Sequence, residues 1–233
     1  MNRPLLLRCL AEVGGTAALV GIGTGAIVAG ANAGGVAQWV LALAWFAAVA
    51  IPVLAFAAVS GAHLNPVVTL GLMVDRRFPS REIAPYAGAQ FAGAFTGTLL
   101  VRAALGTGAH LGSTLSRAPS LVDTFLLEFA FTAALVLSVL VIVRLGPAAS
   151  RWWLLVPPAV VGISTFVIGP WTGSSLNPAR SIAPAVISQS FDGLWVYLLA
   201  TPLAALAVAL SVRRSGASRS EAEPAMPAAK GEG

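Results

Sequence analysis

Charge is what this sequence has least of. Only 10% of its 233 residues are Asp, Glu, Lys or Arg, against about 25% in an ordinary soluble domain. No charged side chain occurs between Val13 and Val74, and none between Trp152 and Ala179. A solvated globular surface is thereby excluded, whereas membrane spans, which need about 20 apolar residues each, are accommodated. Cysteine is nearly absent too: Cys9 stands alone in an apolar run, so no intrachain disulfide can form. The two histidines, His63 and His110, are too few for a metal-ligand cluster. Neither Ser174 nor Ser175 lies in a nucleophile-elbow pattern, and no Walker motif is present. No enzyme, metal or cofactor is expected. The net charge of +5 is spread between apolar runs and into the tail instead of along one face. That distribution argues against a nucleic-acid partner.

Hydrophobic residues make up 57% of the chain, and the mean hydropathy is +0.84. The sequence predicts an all-α membrane protein with spans at about 5–29, 36–59, 82–104, 121–144, 152–170 and 192–212. Glycines and prolines recur inside them, as membrane helices tolerate. Gly88, Gly93 and Gly97 are spaced for close helix packing. Arg3, Arg8 and the triplet Ala31-Asn32-Ala33 imitate a signal peptide, but Glu12 would interrupt its apolar region. The segment is therefore read as a first span.

Two repeats organise the chain. Ser60-Gly-Ala-His-Leu-Asn-Pro and Thr172-Gly-Ser-Ser-Leu-Asn-Pro coincide at an offset of 177 − 65 = 112. Each predicts a glycine-containing loop, an Asn N-cap, Pro at the first helical position and a short apolar helix. Glu12 and Glu128, each followed four residues later by Thr-Ala-Ala-Leu-Val, coincide at 128 − 12 = 116. Spans one and four are thus equivalent, giving two halves of three spans and one short helix each. Because three is odd, the second half enters the membrane from the opposite face, an inverted 3+3 repeat. The expected channel domain covers 1–214, with repeats at about 5–104 and 121–212 joined by a loop at 105–120. Residues 215–233, rich in Ser, Ala, Gly, Pro and charge, are expected to be a disordered cytoplasmic tail. Arg3, Arg8, Arg76, Arg77, Arg81, Arg144, Arg151, Arg213, Arg214, Arg219 and Lys230 fall on alternate connections and in the tail. The positive-inside bias puts these, and both termini, on the cytoplasmic side.

About ten residues at 1.5 Å each make each short helix about 15 Å long, half of a hydrocarbon core of about 30 Å. Two such re-entrant half-helices entering from opposite faces would meet at the midplane. Their non-helical approach segments are tolerable at that depth only beside a polar path or packed in protein. Both N-termini then carry partial positive charge to the centre, where Asn65 and Asn177 offer amide donors and the loops offer carbonyls.

At these residues the chain closely resembles the major intrinsic protein family, the aquaporins and glycerol facilitators, over about residues 5–212. The resemblance implies a pore in each protomer, a homotetramer and a multi-pass protein of the plasma membrane. Its partners would be the lipid bilayer, water and small uncharged solutes. It also implies exclusion of cations and protons by the opposed Asn-Pro half-helices, the mechanism already recognised for aquaporin pores. The midplane group is Asn65, Pro66 and Val67 with Asn177, Pro178 and Ala179; Val67 replaces the usual Ala. The family's outer constriction maps by ungapped counting onto Trp45, Thr165, Ser174 and Arg180. Strict water channels usually carry His at the position of Thr165 and Phe at that of Trp45. Ser181 stands where many glycerol facilitators carry Asp, and Ser174 where they tend to have Phe. The filter is a hybrid, expected to pass water and small neutral solutes such as glycerol, urea or a protonated metalloid acid.

Glu12 and Glu128 are intramembrane carboxyls, which raises proton-coupled secondary transport as the alternative. Their symmetric placement favours a structural role, each accepting hydrogen bonds from a re-entrant loop and supporting its half-helix. His63 belongs to that support as a hydrogen-bonded pore-wall residue; its echo is Ser175.

Overall fold

The computed structural model describes residues 3–146 and 151–222. Among them the ordered elements are all helical: α1 (Leu5–Asn32), α2 (Gln38–Ser60), α3 (Pro66–Val74), α4 (Ile83–Leu105), α5 (Leu121–Leu145), α6 (Val156–Thr172), α7 (Pro178–Ser188) and α8 (Leu194–Ala222). Five of them, α1, α2, α5, α6 with its preceding turn and α8, are long and apolar enough to cross a membrane. The sixth long helix, α4, matches α2 in length at 23 residues but is less apolar, with Tyr86, Gln90 and Arg102 along it. Helix α8 continues to Ala222, past the expected boundary at Ser215. The rest of the tail expected to be disordered, 223–233, lies outside the described residues.

The packing repeats between the halves. Helix α1 packs on α2 and α4, and α5 packs on α6 and α8. The halves interlock through α2 against α6 and through a reciprocal exchange, in which α3 lies on α8 and α7 on α4. Each short helix is therefore seated on the last span of the other half. The α1–α4 crossing is close: a Cβ on Gly97 would come 2.5 Å from the Ala17 carbonyl. Only glycine permits that approach.

Both half-helices start as the chain dictates. Asn65 and Asn177 have extended backbone and accept from the N–H of Val67 and of Ala179, while Pro66 and Pro178 take the first helical position. At 9 and 11 residues the two rise about 14 and 16 Å, so end to end they are about as long as one span. Upstream, α2 and α6 stop at Gly61 (φ 88) and Gly173 (φ 76), whose left-handed backbone suits glycine. We name the end of the bundle at which α1 begins and α8 finishes the inner end, and the opposite one the outer end.

The candidate pore and its constriction

The two approach loops have the same backbone. Ala62 (φ 47) and Leu64 (φ 53) in one match Ser174 (φ 48) and Leu176 (φ 54) in the other, all in the left-handed region. Non-glycine residues hold that conformation only when their surroundings over-determine it. Those surroundings are Glu12 and Glu128, both fully buried. Glu12 accepts from Ser60 Oγ (2.7 Å), His63 N (2.9 Å), Leu64 N (2.7 Å) and Gln90 Nε2 (2.8 Å). Glu128 accepts from Ser175 N (2.9 Å) and Leu176 N (3.0 Å). Tyr86 Oη donates to the Ser60 carbonyl (2.8 Å) and Tyr197 Oη to the Thr172 carbonyl (2.6 Å), anchoring each loop where it leaves its helix.

The loops bring the asparagines together at the centre. Asn65 Nδ2 donates to the Leu176 carbonyl (2.8 Å), and Asn177 Nδ2 donates to the Leu64 carbonyl (2.9 Å). Each amide oxygen meanwhile caps its own helix. A primary amide has two N–H groups, so the second on each side remains to be offered to the cavity beside it. Val67 and Ala179 are buried against the bundle. His63 Nδ1 shares a hydrogen bond with Thr69 Oγ1 (3.1 Å), and Gln90 Nε2 donates to the same hydroxyl (3.0 Å). The echo is Ser175 with Ser181 (2.5 Å), and here Thr114 from the α4–α5 connection donates (2.9 Å).

A cavity of about 310 Å³ runs past this centre. Asn65, His63, Asn177 and Ser175 line its middle, Trp45 and Arg180 its outer part, and Leu72, Arg77, Phe78, Leu135 and Val139 its inner part. Most of the wall is apolar, so a permeant can bond at few stations. The Arg180 guanidinium lies 4.6 Å over the Trp45 ring, a cation–π stack worth about 2 kcal/mol when desolvated. Trp45 has room because residue 23 is glycine: a Cβ there would meet the indole at 2.6 Å. Arg180 Nη1 donates to the Gly112 carbonyl (2.8 Å) and Nη2 to that of Gly173 (3.4 Å), so backbone oxygens cradle the buried guanidinium.

Thr165 and Ser174 are not among the residues that line this cavity. Ser174 Oγ shares a hydrogen bond with Ser164 Oγ (2.7 Å). Thr165 accepts at its carbonyl from Gln38 Nε2 (2.5 Å), while its buried hydroxyl has no partner among the described residues. Of the four outer positions, Trp45 and Arg180 are in direct contact.

Several contributors escaped the sequence reading. Tyr86 and Tyr197 could have been found: they are the only tyrosines of the chain, 197 − 86 = 111 residues apart, nearly the offset of the Asn-Pro repeat. Gly112 could not. It acts through a backbone carbonyl, delivered by a turn in which Ala109, His110 and Leu111 all have positive φ.

Opposed half-helices cross-linked by their caps, inside a bundle of inverted halves, have the arrangement of a membrane pore. A family model described as major intrinsic protein matches residues 2–211, and the chain belongs to that family. Aquaporin NIP1-1 of Oryza sativa subsp. japonica is 34% identical over 206 residues, 88% of this chain and 72% of the relative. The propanediol uptake facilitator PduF of Citrobacter freundii is 32% identical over 217 residues, 81% and 79% of the two chains. The X-ray structure of the aquaglyceroporin from Plasmodium falciparum matches with a TM-score of 0.80 at 27% identity, covering 94% of this chain and 100% of that one. The protein is a multi-pass integral membrane channel of the kind that passes water and small solutes, and not an enzyme.

Proposed function

We propose that the chain forms a passive pore for water and small neutral solutes of the glycerol type, and that it refuses ions and protons. The observation that carries this reading is the reciprocal Asn65–Leu176 and Asn177–Leu64 cross-link, which holds two helix N-termini and two amide donors against one cavity. A cation there meets positive partial charge and loses its hydration. A neutral hydroxyl exchanges bonds with the amides and the loop carbonyls. Trp45 gives carbon chains an apolar wall under the Arg180 donors, whose fork orients hydroxyls. Arg180, which lines the cavity, has its Nε buried without a partner among the described residues, and a passing hydroxyl has the chemistry to satisfy it.

Proton coupling through Glu12 or Glu128 is less well supported. Neither carboxylate lines the cavity, and both spend their oxygens on loop N–H groups. A carboxylate committed to holding backbone is a poor relay. The reading extends to a homotetramer in the plasma membrane with both termini cytoplasmic, on the strength of the family and of the arginines at the inner end.

The test is stopped-flow light scattering on proteoliposomes, with water, glycerol, urea and boric acid compared on the unmodified protein. Water and glycerol are expected to equilibrate faster than in protein-free vesicles, with or without a pH gradient. Uptake that saturates and collapses when the gradient is dissipated would replace the pore by a carrier.

A further inference from the structure

We infer that Phe78 is a specificity-determining residue at the inner mouth, where its ring narrows the path to neutral solutes larger than water; this rests on the passive-pore reading. Phe78 lies in the α3–α4 connection, is 4% exposed, and lines the cavity with His63 and Leu72, opposite Leu135 and Val139. Its ring is set edge-on to His63 (5.0 Å, 67°) and to Tyr86 (4.7 Å, 65°). Both neighbours are pinned, His63 by Thr69 Oγ1 and Tyr86 by the Ser60 carbonyl. The connection is pinned as well: Asp75 takes a two-point ion pair from Arg144 of α5, Nε to Oδ2 at 3.2 Å and Nη2 to Oδ1 at 2.5 Å.

The pseudo-symmetric position makes the inward turn informative. After α3, Arg76 is left-handed (φ 60) and Arg77 N donates to the Leu72 carbonyl (2.8 Å). After α7, Gln189 is left-handed (φ 56) and Ser190 N donates to the Ala185 carbonyl (2.9 Å). The next residue is phenylalanine in both places, yet Phe191 is 54% exposed. The same local backbone and the same side chain end in opposite environments, so the turn does not force Phe78 inward. The inner mouth offers His63 and Tyr86 as ring partners; at the outer mouth Tyr197 echoes Tyr86, but the echo of His63 is Ser175, which offers no ring. The phenylalanine that follows the turn therefore lines the path at the inner mouth and not at the outer one, where Trp45 is the aromatic side chain on the wall.

The experiment measures the glycerol-to-water permeability ratio of proteoliposomes holding equal amounts of wild type, Phe78→Ala, Phe78→Trp and Phe191→Ala. Phe78→Ala is expected at least to double the ratio and to admit a four-carbon polyol; Phe78→Trp is expected to lower it, and Phe191→Ala to leave it unchanged. A gain in solute flux cannot come from misfolding, which separates a narrowing ring from one that only fills the core. Should Phe78→Ala fail to fold, Phe78→Leu takes its place with a smaller rise expected. A conducting wild type whose ratio ignores the folded Phe78 variant overturns the proposal alone. Wild-type vesicles no faster than protein-free ones overturn the pore reading and this proposal with it.

Discussion

The two re-entrant loops share a backbone but not a bracing. The first is held from within its own half: Glu12 comes from α1, Gln90 from α4, and Gln90 also reaches Thr69 behind His63. The second has no such amide. The residue matching Gln90 at the tyrosine offset is Thr201, whose hydroxyl turns back to the Tyr197 carbonyl. In place of that amide the α4–α5 connection supplies the brace, with Thr114 on Ser181 and the Gly112 carbonyl on Arg180. Inverted symmetry therefore fixes where the backbone goes, while each face of the bundle finds its own side chains to hold it there. The outer loop, being braced from the connection between the halves, is the one that carries the arginine.

This contrast yields three measurements. The largest effect is expected from removing a carboxylate. Glu12→Leu strands two hydrogen-bond donors of the loop backbone and two of side chains, at about 1–3 kcal/mol for each buried group left unpaired. Loss of thermal stability in detergent, or no recoverable folded protein, is the expected outcome. Glu128→Leu, with fewer donors in its care, should unfold at a higher temperature than Glu12→Leu; equal losses would erase the asymmetry. Next come the asparagines. Asn65→Ala and Asn177→Ala each remove a cap and a cross-link, about 1–2 kcal/mol apiece. Because the two links close one ring through Leu64 and Leu176, the double variant should cost less than the sum of the singles in denaturant titrations. Strict additivity would mean that the links act separately. The smallest effect is expected at the tyrosines. Tyr86→Phe and Tyr197→Phe each delete one hydrogen bond to a loop carbonyl, about 1 kcal/mol. Their shifts in melting temperature should be alike; a clear difference would carry the asymmetry into a brace that the halves share.

Most of the architecture was legible because its signals are local or repeated. Apolar runs of span length, Asn before Pro, and offsets of 112 and 116 gave the helices, the half-helices and the inversion without any contact being known. The polar supports were half legible: a carboxylate in an apolar run must find partners, but its partners lie about fifty residues away in the chain. For the proposed constriction, counting from the motifs singled out Trp45 and Arg180, whose guanidinium lies 4.6 Å over the indole ring. It could not foresee that the Ser174 hydroxyl turns to Ser164, since a rotamer is chosen by neighbours that spacing does not name.

The chain thus specified its own inverted halves and the two Asn-Pro turns, because capping, proline geometry and hydrophobic length act within a few residues of each position. Which backbone carbonyl cradles Arg180, and whether a phenylalanine after a left-handed turn points into the path or away from it, depended on packing between distant elements. Phe78 and Phe191 make the distinction concrete. Their local instructions are alike, and it is the packing beyond the turn, with His63 against Phe78 at the inner mouth and Ser175 as its echo at the outer, that separates a buried side chain from an exposed one.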